Sequence, residues 1–190
     1  MLKPFPQSFW IKESLLCAGH YPGDIDSAVH LTKLNSLLDC GIRRVINLME
    51  ENEVNYGGRP FRPYDSTLVK LAAIRGMPAP VCFRIPLRDA KAPSITQMES
   101  LLCLVNEGIK NQIPTYVHCW GGHGRTGTFA CCYLMQEGLS ANEALTRLLQ
   151  WRERLPRNNF PLEDEQWQFV EQAHAWLSRR PKCCRTENSI

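Results

Sequence analysis

The chain has 190 residues, of which 44% are hydrophobic and 22% charged, and its formal net charge is +3. This composition predicts a single globular domain with a sizeable core, and so small a charge gives no reason to expect a nucleic-acid-binding protein. Nine cysteines at irregular spacing favour free thiols in a reducing compartment over a disulfide framework. Their spacing is not that of a zinc site, and we predict neither a metal nor a cofactor.

The first ten residues do not resemble a secretory signal, because they contain two prolines and charges follow too early. No apolar stretch is long enough to span a membrane. We therefore predict a cytoplasmic protein. We expect one domain over residues 1–178 and a short polar tail over residues 179–190.

Hydrophobic periodicity and turn residues divide the chain into short strands and helices. The predicted strands cover residues 8–10, 14–18, 44–49, 81–87 and 115–117. The predicted helices cover about residues 24–39, 64–75, 94–109, 128–138, 140–153 and 163–177. Strands and helices alternate in the middle of the chain, and helices dominate its end. This order predicts an α/β fold with a central, mostly parallel sheet of about four to five strands flanked by helices.

Residues that can cap a helix precede several of the predicted helices, singly or as a capping box. These candidates are Asp24 or Asp26, Asp65 or Ser66, Ser94 with Gln97, and Ser140 with Glu143. Apolar residues at helical spacing predict the buried face of each helix. In the first helix this face comprises Val29, Leu31, Leu34, Leu37 and Leu38.

The segment at 118–127, which we call the phosphate loop, reads His-Cys-Trp-Gly-Gly-His-Gly-Arg-Thr-Gly between a predicted strand and a predicted helix. Backbone N–H groups and the helix dipole make such a strand–loop–helix junction an anion site. The glycines allow the amides to point inward without a clash of side chains. The residues predicted to surround a bound phosphate are Trp120, Gly121, Gly122, His123, Gly124 and Arg125.

A reactive cysteine lies at the start of this loop. Cysteine attacks as a thiolate, which a helix N-terminus and a nearby cation favour. Cys119 has both, since Arg125 follows six positions later and its guanidinium can hold two phosphate oxygens. The Thr126 hydroxyl is placed to hydrogen-bond the sulfur, and His118 to brace the loop backbone. A buried structural cysteine beside a glycine turn would require all these residues to coincide by chance.

Thiolate attack on a phosphate ester also requires a proton donor for the leaving oxygen. Asp89 follows the strand predicted at 81–87, and Cys119 follows the strand predicted at 115–117. Because the carboxyl ends of parallel strands share one edge of a sheet, the two residues are expected to meet there. A surface aspartate, or a cap for the helix that begins at Ser94, explains Asp89 equally well.

These residues together resemble the protein tyrosine phosphatase superfamily, in its compact dual-specificity branch. The phosphate loop matches the HCxxGxxRTG signature, and residues 85–89 with 93–94 resemble the general-acid loop. Residues 45–48 followed by Glu50, Glu51 and Glu53 resemble the family's early strand and acidic turn, and residues 144–152 its arginine-bearing helix. Trp after the cysteine, together with residues 9–10 and 18–23, is similar to a set of bacterial-type phosphatases.

The resemblance implies a two-step hydrolysis. Cys119 forms a phosphocysteine, Arg125 and the loop amides bind the phosphoryl oxygens, Asp89 acts as acid and then base, and Thr126 assists release of the sulfur. No metal or cofactor is implied. The implied partner is a phosphoprotein or phosphopeptide substrate.

Two departures from the family pattern concern the substrate and the water. Phosphoinositide phosphatases carry lysines where this chain has Trp120 and His123, a histidine that is partly charged near neutral pH in its ordinary state. An inositol-phosphate or phosphoinositide substrate is therefore disfavoured but stays an alternative, as does a non-catalytic phosphate-binding module. Gln166 corresponds either to a water-positioning glutamine or to a residue on a helix surface.

Overall fold

The computed structural model describes residues 2–153 and 162–177, so the tail predicted at 179–190 lies outside the described residues. Five strands form one sheet in the order β1-β2-β5-β3-β4. They are β1 (Ser8–Lys12), β2 (Leu16–Gly19), β3 (Arg44–Asn47), β4 (Val81–Arg84) and β5 (Thr115–His118). Only β1 runs antiparallel to its neighbour, which confirms the predicted mostly parallel sheet.

Within the described residues, six helices connect and flank the strands. They are α1 (Ser27–Asp39), α2 (Asp65–Ile74), α3 (Ile95–Lys110), α4 (Gly124–Gln136), α5 (Ala141–Arg152) and α6 (Asp164–Leu177). Helices α3, α5 and α6 pack around α4, and α1 packs on α2. None of the helices in the described ranges combines the length and the apolar character that crossing a membrane requires.

Most predicted helix caps are present. The Asp26 side chain accepts hydrogen bonds from the first turn of α1, and Ser94 and Ser140 form capping boxes. The predicted cap of α2 is wrong, because Tyr64 is the N-cap residue and makes no side-chain hydrogen bond there.

The predicted face of α1 is partly wrong. Val29 and Leu31 are exposed, whereas His30 is buried with Leu34, Leu37 and Leu38. The apolar spacing predicted the helix correctly. The three buried leucines determine which face packs on the core, and Val29 and Leu31, near the first turn, lie outside it.

The four parallel strands end level with one another. Asn47 of β3 pairs with His118 of β5 and with Arg84 of β4, and Gly19 of β2 also pairs with His118. Every strand end therefore delivers its following loop to the same edge of the sheet. Strands β3 and β5 are wholly buried at the centre of the sheet, which gives that edge a rigid base.

Candidate active site

The phosphate loop leaves the end of β5 and enters α4 at Gly124, earlier than the predicted start at residue 128. Gly122 lies in the left-handed region, with a φ of 70°. A Cβ atom at Gly122 would lie 2.5 Å from the carbonyl carbon of Gly19. Only glycine satisfies both the backbone angle and this close approach to β2.

Cys119 lies at the base of this loop and is 3% exposed. The Thr126 hydroxyl donates a hydrogen bond to its sulfur at 3.1 Å. Thr126 is fully buried on the first turn of α4. The sulfur thus accepts from a hydroxyl at the N-terminus of a helix, an environment that stabilises negative charge.

His118 braces the loop from below. Its ring Nδ1 lies 3.0 Å from the carbonyl oxygen of Cys119, and its Nε2 lies 2.7 Å from the Tyr64 hydroxyl. Burial lowers the pKa of His118 to about 3, so the ring is neutral near pH 7. Because a carbonyl oxygen can only accept, Nδ1 carries the proton and Nε2 accepts from Tyr64.

The Arg125 guanidinium is almost fully buried and joins three segments. It pairs with both carboxylate oxygens of Glu53, donates to the Leu87 carbonyl at 3.1 Å and lies 3.1 Å from the Asp89 carboxylate. Burial alone would lower the pKa of Arg125, but the hydrogen bond to Glu53 and nearby charges raise it above its ordinary value. The arginine therefore stays a cation at the phosphate loop.

Glu53 belongs to an acidic turn, residues 50–53, that follows β3. Its carboxylate accepts a hydrogen bond from the Glu50 backbone N–H at 2.7 Å. Arg84 holds the same turn through the carbonyls of Met49 and Glu50, at 2.9 and 3.2 Å. The sequence showed this turn but not its contact with Arg125. The shared strand edge that predicted a role for Asp89 would have predicted one for Glu53 as well.

Asp89 is brought to the phosphate loop, although its side chain is 63% exposed. The capping alternative is wrong, because Ser94 itself caps α3. An exposed carboxylate beside Arg125 is open to solvent and to a bound ester at once. This position gives Asp89 access to a bound ester, and its role as proton donor stays a prediction.

The opposite end of the phosphate loop is held by Arg152 of α5. Its guanidinium donates to the His123 carbonyl at 2.6 Å. Burial, together with the charge of Arg152, lowers the pKa of His123 to about 4. The expectation of a partly charged His123 near neutral pH is therefore wrong, since a pKa near 4 leaves the ring neutral.

Aromatic side chains flank the loop beside the cysteine. The Trp120 ring packs 4.4 Å from the Tyr56 ring and 5.3 Å from the Phe61 ring, centroid to centroid. Tyr56 is 94% exposed, and the Trp120 carbonyl accepts from the Tyr21 N–H at 2.9 Å. We refer to Tyr56, Phe61 and Trp120 as the aromatic wall. Tyr56 was not among the predicted site residues, because it lies in the polar loop between β3 and α2 and far from the signature in the chain.

Gln166 is fully buried, which excludes the helix-surface interpretation. A Cβ atom at Gly124 would lie 2.8 Å from its side-chain oxygen, so the glutamine packs directly on the start of α4.

A cavity of about 230 Å³ lies beside the acidic turn. Its lining includes the side chains of Glu50, Glu51, Glu53, Asp65 and Arg84.

Within residues 2–153 and 162–177, no three His, Cys, Asp or Glu residues lie close enough together to hold a metal ion. The cysteines of these ranges are free thiols. What the structure brings together is one thiol, one guanidinium, two carboxylates and a helix N-terminus. Such a set can bind an anion, attack it and exchange a proton with it.

A family described as "PTP-SAK: Swiss Army Knife protein, DSP-PTPase phosphatase domain" matches residues 8–186. Among solved structures, PTPMT1 in complex with PI(5)P is similar with a TM-score of 0.67 and 19% identity, over 92% of this chain and 98% of that chain. Kinase associated phosphatase, with its catalytic-site cysteine changed to serine, gives a TM-score of 0.65 and 20% identity, over 87% and 89%. The core catalytic domain of the PP-IP phosphatase SIW14 from S. cerevisiae gives 0.59 and 15%, over 94% and 95%.

The neutral, buried His118 makes stability depend on pH. The unfolded chain binds a proton on this ring below a pKa of 6.5, whereas the folded chain does so only near pH 3. The free energy of unfolding should therefore fall as the pH drops from about 6.5 towards 3. His118→Gln should have a shallower slope than the wild type between pH 7 and 5, measured by urea unfolding at each pH. Equal slopes in the two proteins would contradict this assignment.

Proposed function

The chain belongs to the PTP-SAK family of dual-specificity-type protein tyrosine phosphatases, and we propose that Cys119 is its nucleophile. In the proposed first step the Cys119 thiolate attacks phosphorus, a sulfur–phosphorus bond forms and the ester P–O bond breaks. In the second step water attacks the phosphocysteine, which releases phosphate and restores the thiolate. No metal or cofactor enters this cycle.

The observation that carries the proposal is the convergence of Thr126, Arg125 and Asp89 on the loop that begins with Cys119. Thr126 donates to the sulfur at 3.1 Å, which favours the thiolate both before attack and on departure from phosphorus. Arg125 is a buried cation that can bind two phosphoryl oxygens, and the amides of residues 120–124 are proposed to bind the others.

Asp89 is proposed to protonate the leaving oxygen and then to take a proton from the attacking water. Its carboxylate lies 3.1 Å from Arg125, the group proposed to hold the phosphoryl oxygens. It is therefore within reach of an ester bound in the phosphate loop. The same side chain serves both steps because the proton given to the alcohol or phenol is recovered from water.

The proposed substrate is a phosphoprotein, with phosphotyrosine preferred and phosphoserine or phosphothreonine also accepted. The aromatic wall supports this preference. Tyr56 exposes its ring beside Trp120, and a phenyl ring attached to the bound phosphate can pack against such a surface. Free thiols in the described ranges are consistent with a cytoplasmic site of action.

An inositol phosphate or phosphoinositide is the second candidate substrate. The similar fold of PTPMT1 bound to PI(5)P, and of the PP-IP phosphatase SIW14, favours it. The charges of this chain oppose it. His123 is neutral near pH 7, and four acidic residues but one arginine line the cavity beside the acidic turn. This excess of negative charge repels further phosphate groups.

Cys119→Ser should abolish turnover but preserve substrate binding, because the hydroxyl is a far weaker nucleophile while Arg125 and the loop amides remain. The measurements are phosphate release and the Kd of a phosphotyrosine peptide. Cys103→Ser, a change of the same kind on α3, is the matched control and should keep its activity. Full turnover by Cys119→Ser, or loss of turnover in the control alone, would reject Cys119 as the nucleophile. Binding of the peptide by the wild type without any release of phosphate would leave a phosphate-binding module.

Asp89→Ala should lower kcat on a phosphotyrosine peptide by roughly 10² to 10⁴, the usual contribution of a general acid. Asp89→Asn should lose as much, although it keeps the size of the side chain, because an amide cannot donate the required proton. Steady-state kinetics of both variants test this. Activity within about twofold of the wild type would return Asp89 to the role of a surface residue.

Tyr56→Ala should lower kcat/KM for a phosphotyrosine peptide by about 2- to 10-fold, the usual range of an aromatic pair. The same peptide with phosphothreonine should lose much less, and Tyr56→Phe should retain the preference. Val54→Ala, which removes an exposed apolar side chain from the same loop, is the control. Inositol hexakisphosphate completes the panel, and faster turnover of it than of the peptides would replace the phosphoprotein assignment.

A further inference from the structure

The loop that carries Asp89 adopts an unfavourable conformation at its tip. We call residues 85–94 the acid loop. It turns at residues 88–91, where the Lys91 N–H donates to the Arg88 carbonyl at 3.3 Å. Ala90, which directly follows Asp89, has a φ of 56°. A residue with a Cβ atom is disfavoured in this left-handed region, so contacts outside the turn must hold it in place.

Contacts with the sheet fix only the first part of the acid loop. The N–H groups of Ile85 and Leu87 donate to the carbonyls of Asn47 and Leu48, at 3.0 and 2.9 Å. The Gln97 side chain of α3 donates to the Pro86 carbonyl at 2.8 Å. All these contacts precede Asp89 in the chain. At the tip itself, the Asp89 carboxylate lies 3.1 Å from the Arg125 guanidinium.

The first turn of α6 holds the second part of the loop. The Lys91 ammonium lies 2.6 Å from the Glu165 carboxylate, and the Ala92 backbone N–H lies near the same carboxylate. The Gln166 side chain donates to the Lys91 carbonyl at 3.3 Å. Glu165 and Gln166 of α6 thus make three contacts with Lys91 and Ala92, the two residues that follow Ala90.

Gln166 also connects this grip to the phosphate loop. Its amide oxygen accepts from the Glu163 N–H at 3.2 Å, which fixes the orientation of the side chain. The same side chain is fully buried against Gly124, the first residue of α4. One rigid amide therefore contacts the loop that carries Asp89 and the helix start that lies behind Cys119.

We propose that Glu165 and Gln166 form a positioning clamp, which holds the acid loop so that Asp89 meets an ester bound at Cys119. The clamp rests on the proposed role of Asp89 as the general acid. Glu165 and Gln166 act through Lys91 and Ala92 and do not touch the reacting atoms. The exposed ion pair to Lys91 contributes little by itself, whereas the buried amide of Gln166 contributes more.

A clamp for the general acid has a specific kinetic signature. Leaving groups of high pKa need the proton of Asp89, and leaving groups of low pKa depart without it. Gln166→Ala should lower kcat by about 3- to 10-fold on phenyl phosphate or a phosphoserine peptide, the effect of losing one or two hydrogen bonds. Glu165→Ala should lower it by about 2- to 5-fold, the upper range of an exposed ion pair. On a difluoro-umbelliferyl phosphate they should change kcat by less than about twofold.

Asp164→Ala is the matched control for Glu165→Ala. Both variants remove one exposed carboxylate from the first turn of α6. Among the described residues, the ion pair to the acid loop comes from Glu165 and not from Asp164. Asp164→Ala should therefore leave the dependence on leaving group unchanged. The exchange of Lys91→Glu with Glu165→Lys should recover part of the activity that either change removes alone.

The Asp89→Ala background separates failure of the clamp from failure of the proposed function. If the clamp acts through Asp89, Glu165→Ala and Gln166→Ala should cost nothing further in that background. An equal loss on all leaving groups, or full additivity with Asp89→Ala, would show a merely structural role and overturn the clamp. If Asp89→Ala alone has no effect, the general-acid role fails and overturns the clamp with it, whereas the proposed function itself fails only by the Cys119→Ser test. Thermal unfolding of Gln166→Ala shows whether this variant is still folded. Glu165→Ala tests the clamp without changing a buried residue.

Discussion

The buried guanidinium of Arg125 must be neutralised, because an unpaired charge in the interior costs several kcal/mol in desolvation. Its partners come from two loops, and the contact joins these to the loop of Arg125 itself. Glu53 follows β3, Leu87 and Asp89 follow β4, and Arg125 itself follows β5. The parallel strands end level, so these loops meet without any long connection. One cation thereby organises the anion site, the acidic turn and the acid loop around the same point.

The two histidines of the phosphate loop add no charge to this arrangement near pH 7. His118 and His123 lie close to Arg125 and Arg152, and burial keeps both rings neutral near pH 7. A neutral His118 can still accept from Tyr64 and donate to the Cys119 carbonyl, so it orients the loop without adding charge. Positive charge at the phosphate loop therefore comes from the guanidinium groups of Arg125 and Arg152 and from a helix N-terminus, all of which are fixed before a substrate arrives.

Local patterns in the sequence were sufficient for the fold class, the capping boxes and the phosphate loop, because each depends on residues close in the chain. The shared edge of parallel strands also brought Asp89 to Arg125. Contacts between distant segments were not predictable in this way. The pairing of Glu53 with Arg125 and the burial of Gln166 depend on how loops and α6 pack. The charge of His123 was predicted wrongly for the same reason, since burial sets its pKa.

The contact between Gly122 and Gly19 gives the N-terminal hairpin of β1 and β2 a place in the active site. The Tyr21 N–H also donates to the Trp120 carbonyl, and the Tyr116 hydroxyl donates to the His20 carbonyl. One wall of the phosphate loop is therefore made by the first twenty or so residues of the chain. A shortened form that began at α1 would keep the signature residues and the central strands. It would lose the surface on which the phosphate loop packs. The smallest catalytic unit therefore extends back to β1.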